Sequence, residues 1–182
     1  MVTFIVEGDS DKDFFIDFLT ELEITKDRYN IKIFNGKDNI FKLSCPLYDE
    51  IENELDIINK IFIVVDADDP KDKSPIRGYE ETQKHLKSLI KDLEFDVFID
   101  YFIFSDKDKN RGFLETFLLS VIEDEQQECI ENFKECYEYD LSDKFVYNTF
   151  YKQKKYPFDF SHPNFDELKQ KLINLFEYKG RQ

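Results

Sequence analysis

The sequence predicts an α/β fold in which a mainly parallel sheet of about four strands is flanked by helices. Short apolar runs alternate with longer segments whose apolar residues recur every three or four positions, as expected for strands that alternate with helices. The most apolar run, residues 61–66, is uninterrupted up to Asp66, which is typical of a strand covered by helices on both faces. The 182 residues, 41% of them hydrophobic, suffice for one substantial core. We therefore expect residues 61–66 at the centre of the sheet.

Local patterns predict the individual elements. Gly8 ends the first strand, and the apolar residues that follow it recur on one helical face. Pro46 interrupts a helical pattern, because its ring disfavours helix at the residue before it. The predicted strands are 3–7, 30–34, 61–66 and 96–104, and the predicted helices are 11–22, 39–58, 79–93, 112–121, 123–137 and 164–178.

The domain organisation follows from these elements. We expect residues 1–122 to form the α/β domain, and residues 123–182 to form a helical extension packed on it. Residues 141–163 are rich in Tyr, Phe and Lys, and their pattern does not decide between helix and an irregular connection.

The net charge of −15 opposes nucleic-acid binding at long range, because affinity for a polyanion depends on clustered Lys and Arg. A nucleic-acid partner therefore needs a bridge, which a bound divalent cation or a local basic cluster could supply. Taken alone, such clusters are better explained as a solvated surface. The clusters are Lys107, Lys109 and Arg111, and Lys152, Lys154 and Lys155.

Cysteine usage and hydropathy indicate the compartment. Cys45, Cys129 and Cys136 are odd in number and lack CxxC spacing, which favours reduced thiols over a disulfide framework or a zinc ribbon. No apolar segment approaches the 18 or so residues that a membrane span requires. We expect a cytoplasmic protein without a membrane partner.

Acidic residues follow the predicted strands. Glu7 and Asp66 end two of them, Asp68 lies two residues further, and Glu115 is in the first turn of the helix after the fourth strand. The carboxyl ends of parallel strands meet at one edge of a sheet, so these side chains are expected together. Like charges there would repel strongly without a cation, and a hard metal resolves the conflict. Simpler roles remain open, because each carboxylate could serve only a turn or a helix N-terminus, as Asp11 could as a helix cap.

Three motifs resemble a known family. Residues 6–11 are Val-Glu-Gly-Asp-Ser-Asp and residues 65–68 are Val-Asp-Ala-Asp. Together they resemble the signature of the Toprim domain shared by topoisomerases, primases and overcoming-lysogenization-defect (OLD) nucleases. Residues 112–115, Gly-Phe-Leu-Glu, are similar to the Gly-x-Leu-Glu of small stand-alone Toprim-like proteins of the DUF3226 group and of OLD-type Toprim nucleases. The resemblance covers residues 1–119 approximately and implies a Toprim, Rossmann-like fold.

The resemblance also implies roles for individual residues. Glu7 would act as acid or base and share the metal, and Asp66 with Asp68 would bind Mg²⁺ or Mn²⁺. Glu115 would be a further ligand, as in the nuclease branch. In our hypothesis of phosphoryl transfer, Glu115 and Asp11 would together complete a second metal site. OLD-type nucleases also use a lysine near the C-terminal side of the domain, for which the candidates are Lys152, Lys154 and Lys155, and no pattern selects one; Lys152 is carried forward.

The predicted function is metal-dependent phosphoryl transfer, in the form of nucleic-acid phosphodiester hydrolysis. The alternative is a non-catalytic Toprim-like metal-binding module that acts as partner of another protein such as an ATPase. A manganese-dependent glycosyltransferase, and a receiver-like phosphoacceptor site built from Glu7, Asp66 and Ser105, explain fewer of the residues. The docking face of the partner module would consist of Ile130, Phe133, Tyr137, Phe145, Phe150 and Phe158.

Overall fold

The computed structural model describes residues 1–71, 75–106, 108, 110–137, 141–151 and 159–177. A sheet of four parallel strands lies at the centre, in the order β2-β1-β3-β4. The predicted α/β class, with a parallel sheet flanked by helices and further helices at the C-terminal end, is therefore confirmed. The strands are β1 (Val2–Val6), β2 (Tyr29–Ile33), β3 (Lys60–Asp66) and β4 (Phe98–Phe104).

The helices differ from the predicted ones mainly at their ends. The predicted interruption before Pro46 is confirmed, because Pro46 lies in the first turn of a helix and a separate short helix precedes it. Residues 143–150 form a helix within the segment whose pattern was undecided. The helices are α1 (Asp9–Glu21), α2 (Lys37–Ile40), α3 (Pro46–Asn53), α4 (Tyr79–Asp92), α5 (Leu114–Leu119), α6 (Asp124–Cys136), α7 (Asp143–Phe150) and α8 (Asp166–Glu177).

The strand register brings the carboxyl ends of all four strands to one edge. Val6 of β1 pairs with Ile33 of β2, and Asp66 of β3 pairs with Phe104 of β4. The β1–β3 register aligns Ile5 with Ile63. Residues that immediately follow the strands therefore share this edge, which is where ligands bind in open parallel sheets.

Each face of the sheet has its own apolar layer, because successive side chains of a strand point to opposite faces. Phe4 and Phe62 pack with α1 and α8 on one face, and Ile5 and Ile63 pack with α3 and α4 on the other. The strands β1 and β3, to which these residues belong, are almost fully buried. The continuous apolar sequence of β3 therefore reflects a strand that is covered on both sides.

The C-terminal helix α8 belongs to the first of these layers. Leu168, Leu172 and Leu175 are buried in the same cluster as Phe4. Lys60 donates a hydrogen bond to the carbonyl of Leu175, and Arg28 donates one to the carbonyl of Phe176 at 3.1 Å. Cations near the last carbonyls of a helix stabilise its C-terminus. The division into residues 1–122 and 123–182 stays a prediction.

No helix among the described residues is both long enough and apolar enough to cross a membrane.

Candidate metal centre

Glu7 and Asp66 connect the two central strands at their carboxyl ends. Glu7 directly follows β1, and Asp66 is the last residue of β3. The backbone N–H of Asp66 donates a hydrogen bond of 2.7 Å to Oε1 of Glu7. Adjacent parallel strands therefore place these two carboxylates side by side, as the sequence predicts for this edge.

The N-terminus of α5 meets Asp66. The backbone N–H of Leu114, the first residue of α5, donates a hydrogen bond of 2.9 Å to Oδ1 of Asp66. The first N–H groups of a helix have no partner within the helix, so an aspartate from another element satisfies one of them. This contact joins the Gly-Phe-Leu-Glu motif at residues 112–115 to the Asp-Ala-Asp motif at residues 66–68.

Asp68 is held in an uncommon backbone conformation. Its φ is 60°, in the left-handed region that few residues other than Gly adopt. The N–H of Asp68 donates to the carbonyl of Gly112 at 3.0 Å, and the N–H of Gly112 donates to the carbonyl of Asp68 at 3.3 Å. This pair of hydrogen bonds fixes the loop after β3 against the segment that precedes α5.

Gly112 cannot be replaced by a larger residue without a shift of the neighbouring backbone. Its φ is +139°, and a Cβ atom there would lie 2.9 Å from the backbone N of Asp106 and 3.1 Å from the carbonyl carbon of Ser105. We expect Gly112→Ala to lower the free energy of unfolding by at least about 1–3 kcal/mol, because strained backbone and a backbone clash add together. Urea denaturation measures the change.

Gly36→Ala is the matched control for this substitution. Gly36 also has a positive φ, +115°, but a Cβ atom there would meet nothing within 4 Å. Gly36→Ala therefore carries the conformational strain without the clash. Equal losses of stability in the two variants would contradict the argument from the Asp106 and Ser105 backbone.

Asp11 and Glu115 complete the acidic group. Both are buried, with 8% and 4% of their surface exposed. Oδ2 of Asp11 accepts a hydrogen bond of 2.9 Å from the backbone N–H of Gly8, so Asp11 does serve the start of α1 as the simpler interpretation predicts. Glu115 lies in the first turn of α5. Their roles as ligands of a second metal stay predictions.

The pKa values show that these carboxyl groups act on one another. The pKa of Glu7 is raised to about 7, first by burial and then by the charges of Asp11 and Asp68, against the opposite effects of the Asp66 N–H and Lys37. Burial also raises the pKa of Asp66 well above its usual range, and Glu7, Asp11, Glu115 and Asp68 contribute in the same direction. A group of buried carboxylates at this edge is therefore electrostatically unfavourable at neutral pH.

Asp11 belongs to the same electrostatic group. The pKa of its carboxyl is raised to about 6, first by burial and in addition by the charge of Glu115. The Gly8 N–H and the charge of Lys144 act in the opposite direction. The structure thus brings Asp11 together with the four acidic residues that the sequence predicts for this edge, Glu7, Asp66, Asp68 and Glu115.

Three of these carboxylates are anchored through one oxygen. Oε1 of Glu7, Oδ1 of Asp66 and Oδ2 of Asp68 each accept a hydrogen bond of 2.7 to 2.9 Å. Within the described residues, no further hydrogen bond reaches the second oxygen of any of them. A hydrogen bond to one oxygen orients the carboxylate and leaves its second oxygen available to bind a metal ion. Metal-binding side chains are often oriented by hydrogen bonds in this way.

Oxygen donors of this kind are the ligands that Mg²⁺ and Mn²⁺ prefer, so the chemistry of the donor set fits such an ion. The arrangement is not pre-assembled, since no three His, Cys, Asp or Glu side chains of the described part of the chain are placed to hold a metal ion. Ligation would therefore require the second oxygens to turn toward a common point. Metal binding stays a prediction.

Lys37 is a residue of this site that the sequence analysis misses. Only 6% of it is exposed, and its Nζ donates to Oδ2 of Asp68 at 2.8 Å, to the carbonyl of Asp66 at 2.7 Å and to Oγ1 of Thr82 at 2.9 Å. The available signal was the Asn35-Gly36 turn after β2, which ends at the same edge of the sheet and places the following lysine there.

A family described as protein of unknown function (DUF3226) matches residues 2–157. The chain belongs to the DUF3226 family. No curated protein and no solved structure matches it. All five carboxylates and Lys37 lie within the matched residues, so the whole candidate site of this DUF3226 protein falls inside the family region. Helix α8 lies beyond the match and nevertheless completes the core.

Helix α7 of this DUF3226 protein adds two groups near the acidic residues. Lys144 acts electrostatically on Asp11, and the charges of Glu115 and Asp17 contribute to a raised pKa of Tyr147, whose main cause is burial. Neither residue belongs to a motif that the sequence analysis recognises. Lys152, the lysine predicted to be catalytic, lies outside the described residues, as do Lys107, Lys109, Lys154, Lys155 and Phe158.

Proposed function

We propose that this protein is a metal-dependent phosphodiesterase that hydrolyses nucleic acid in the manner of Toprim nucleases. The observation that carries the proposal is the group of five acidic residues at the carboxyl edge of the sheet, where burial and the neighbouring charges raise the pKa of Glu7, Asp11 and Asp66. A divalent cation would relieve this repulsion, and it would also bridge an acidic protein to a phosphate backbone.

Asp66 and Asp68 hold the ion in this proposal, with Glu7 beside them. The hydrogen bonds from Leu114 and Lys37 each anchor one oxygen of the two aspartates, and the second oxygens would turn toward the ion when it binds. Mg²⁺, when bound, polarises a phosphoryl oxygen and lowers the pKa of a water molecule. Glu7 accepts the proton of the attacking water as general base, the role that a carboxylate beside the reacting water can fill.

A lysine from the C-terminal part of the chain stabilises the negative charge that develops during hydrolysis. Lys152 is the sequence-based candidate, and Lys144 of α7 is a second candidate because its charge acts on Asp11. Either ammonium would stabilise the negative charge that develops on the phosphoryl oxygens, as preorganised donors do in other enzymes. The rates of plasmid nicking by Lys144→Met and Lys152→Met, compared at equal metal occupancy, show which of the two lysines has this role.

Titration of Mg²⁺ and Mn²⁺ into the protein, followed by nicking of supercoiled plasmid with the same samples, tests the proposal. We expect the double variant Asp66→Asn, Asp68→Asn to lose both site-specific metal binding and nicking. The double variant Asp49→Asn, Asp56→Asn has the same change of charge at exposed positions and should retain both. Absence of site-specific binding in the wild-type protein would refute the proposal.

A second candidate is the non-catalytic module that binds a partner protein such as an ATPase. It is favoured by three exposed aromatic rings, on α6, directly after it and on α7: the ring centroid of Phe133 lies 5.7 Å from that of Tyr137 and 6.3 Å from that of Phe150. Between 44% and 47% of each of these residues is exposed. Metal binding without nicking in the titration described above would favour this candidate over the nuclease.

A further inference from the structure

Lys37 is buried beside the acidic group, in contact with Asp68. It follows Gly36 at the start of α2, so its side chain extends from the carboxyl end of the edge strand β2 toward β3. Its Nζ contacts the carbonyls of Asp66 and Ala67, at 2.7 and 3.4 Å, as well as the carboxylate of Asp68. One ammonium group therefore binds all three residues of the Asp-Ala-Asp motif.

The acceptors around Lys37 come from two elements. Three belong to the 66–68 loop, and the fourth is the hydroxyl of Thr82 in α4, which has no exposed surface. An ammonium has three N–H donors, and Asp66, Asp68 and Thr82 use all of them at 2.7–2.9 Å. A buried charge that is fully hydrogen-bonded and paired with a carboxylate is stably held.

Carbonyl, carboxylate and hydroxyl oxygens around one positive charge are also the donor set of a hard metal ion. In this protein the position is filled by the side chain of Lys37, which neutralises Asp68 and fixes it in its left-handed conformation. Asp68 is thus already paired with one cation before any metal binds, whereas the charged groups that act on Glu7 and Asp66 are mainly carboxylates.

We propose that Lys37 is a positioning residue that occupies the place of a second cation, so that the site binds a single divalent ion. The inference rests on the proposed function, because it presumes that the acidic group binds metal. It replaces the expectation that Asp11 and Glu115 complete a second metal site. Lys37 then holds Asp68, and the single ion is held by the free oxygens of Asp66, Asp68 and Glu7.

Counting bound Mn²⁺ by electron paramagnetic resonance at saturating concentration tests this inference without any assay of activity. We expect one ion in the wild-type protein. Lys37→Ala removes the ammonium and opens room for a hydrated ion beside Asp68, so this variant should bind two. Lys37→Arg keeps a cation at the position and should bind one.

Lys32→Ala is the matched control. Lys32 is also a largely buried, ion-paired lysine of this half of the molecule, but its partners are Glu54 at 3.0 Å and Glu50 at 3.5 Å, away from the acidic group. It should bind one ion, like the wild-type protein. A second ion in Lys32→Ala would show that loss of any positive charge suffices, and would overturn the assignment to Lys37.

The outcomes separate this inference from the proposed function. Two ions in the wild-type protein, or one ion in a folded Lys37→Ala variant, would overturn the role of Lys37 while metal binding stands. No bound Mn²⁺ in the wild-type protein would overturn the proposed function itself. If Lys37→Ala does not fold, the counts for the wild-type protein and Lys37→Arg decide, since two ions in either contradict the inference.

Discussion

Glu7→Gln lowers the rate of plasmid nicking by about 10²–10⁴-fold, the range that removal of a general base costs. Glutamine cannot accept the proton of the attacking water, and it is a weaker ligand for a divalent ion. The fold is expected to persist, because the amide oxygen of Gln still accepts the hydrogen bond that the Asp66 N–H donates to Oε1. Initial rates in saturating Mg²⁺ near neutral pH measure the effect.

Glu21→Gln is the control for this substitution, since Glu21 is an exposed residue at the end of α1. It should nick plasmid at the wild-type rate. Circular dichroism and urea denaturation establish that both variants are folded. Wild-type turnover by Glu7→Gln would remove Glu7 from the chemistry, and would leave the acidic group as a binding site only.

The metal-free protein loses stability as the pH rises from about 4.5 to about 7. In this window the folded protein retains a proton on Glu7, whose pKa is about 7 instead of 4.5, whereas the unfolded chain has released it. The folded state binds more protons, so the free energy of unfolding falls with increasing pH. The shift of Glu7 corresponds to about 3 kcal/mol between the ends of this window.

Asp11 contributes to the same loss at slightly lower pH, because its pKa is raised from 3.8 to about 6. Urea denaturation in the presence of a chelator at pH 4.5 and pH 8 measures the total. The net charge of −15 adds a general repulsion that acts in the same direction, so the wild-type slope alone does not isolate Glu7.

Glu7→Gln isolates the contribution of Glu7. Without a titrating group at this position, the variant should lose less stability between the two pH values and should be more stable than wild type at pH 8 without metal. Saturating Mg²⁺ should stabilise the wild-type protein at pH 8 far more than at pH 4.5, where the carboxyl groups are protonated. Equal pH dependence in the wild-type protein and Glu7→Gln would contradict the assignment of the raised pKa.

The sequence determined the sheet and the position of the acidic residues on it. The uninterrupted apolar run of β3 predicts a buried central strand, and strands that alternate with helices predict a parallel sheet. From a parallel sheet it follows that Glu7 and Asp66 share an edge, because all strands end there. These inferences succeed because burial and backbone geometry repeat with a fixed period along the chain, and that period is visible in the sequence.

Only the tertiary structure decided how the loops complete the site. The burial of Lys37 beneath Asp68 depends on where α2 begins relative to β3, and the contact of Leu114 with Asp66 depends on how the segment before α5 folds back to pair Gly112 with Asp68. Contacts between residues 31 to 48 positions apart in irregular segments leave no periodic signal. Loop paths and side-chain pairing are set by the packing of the whole molecule. The sequence therefore predicts the carboxylates of the site but not Lys37.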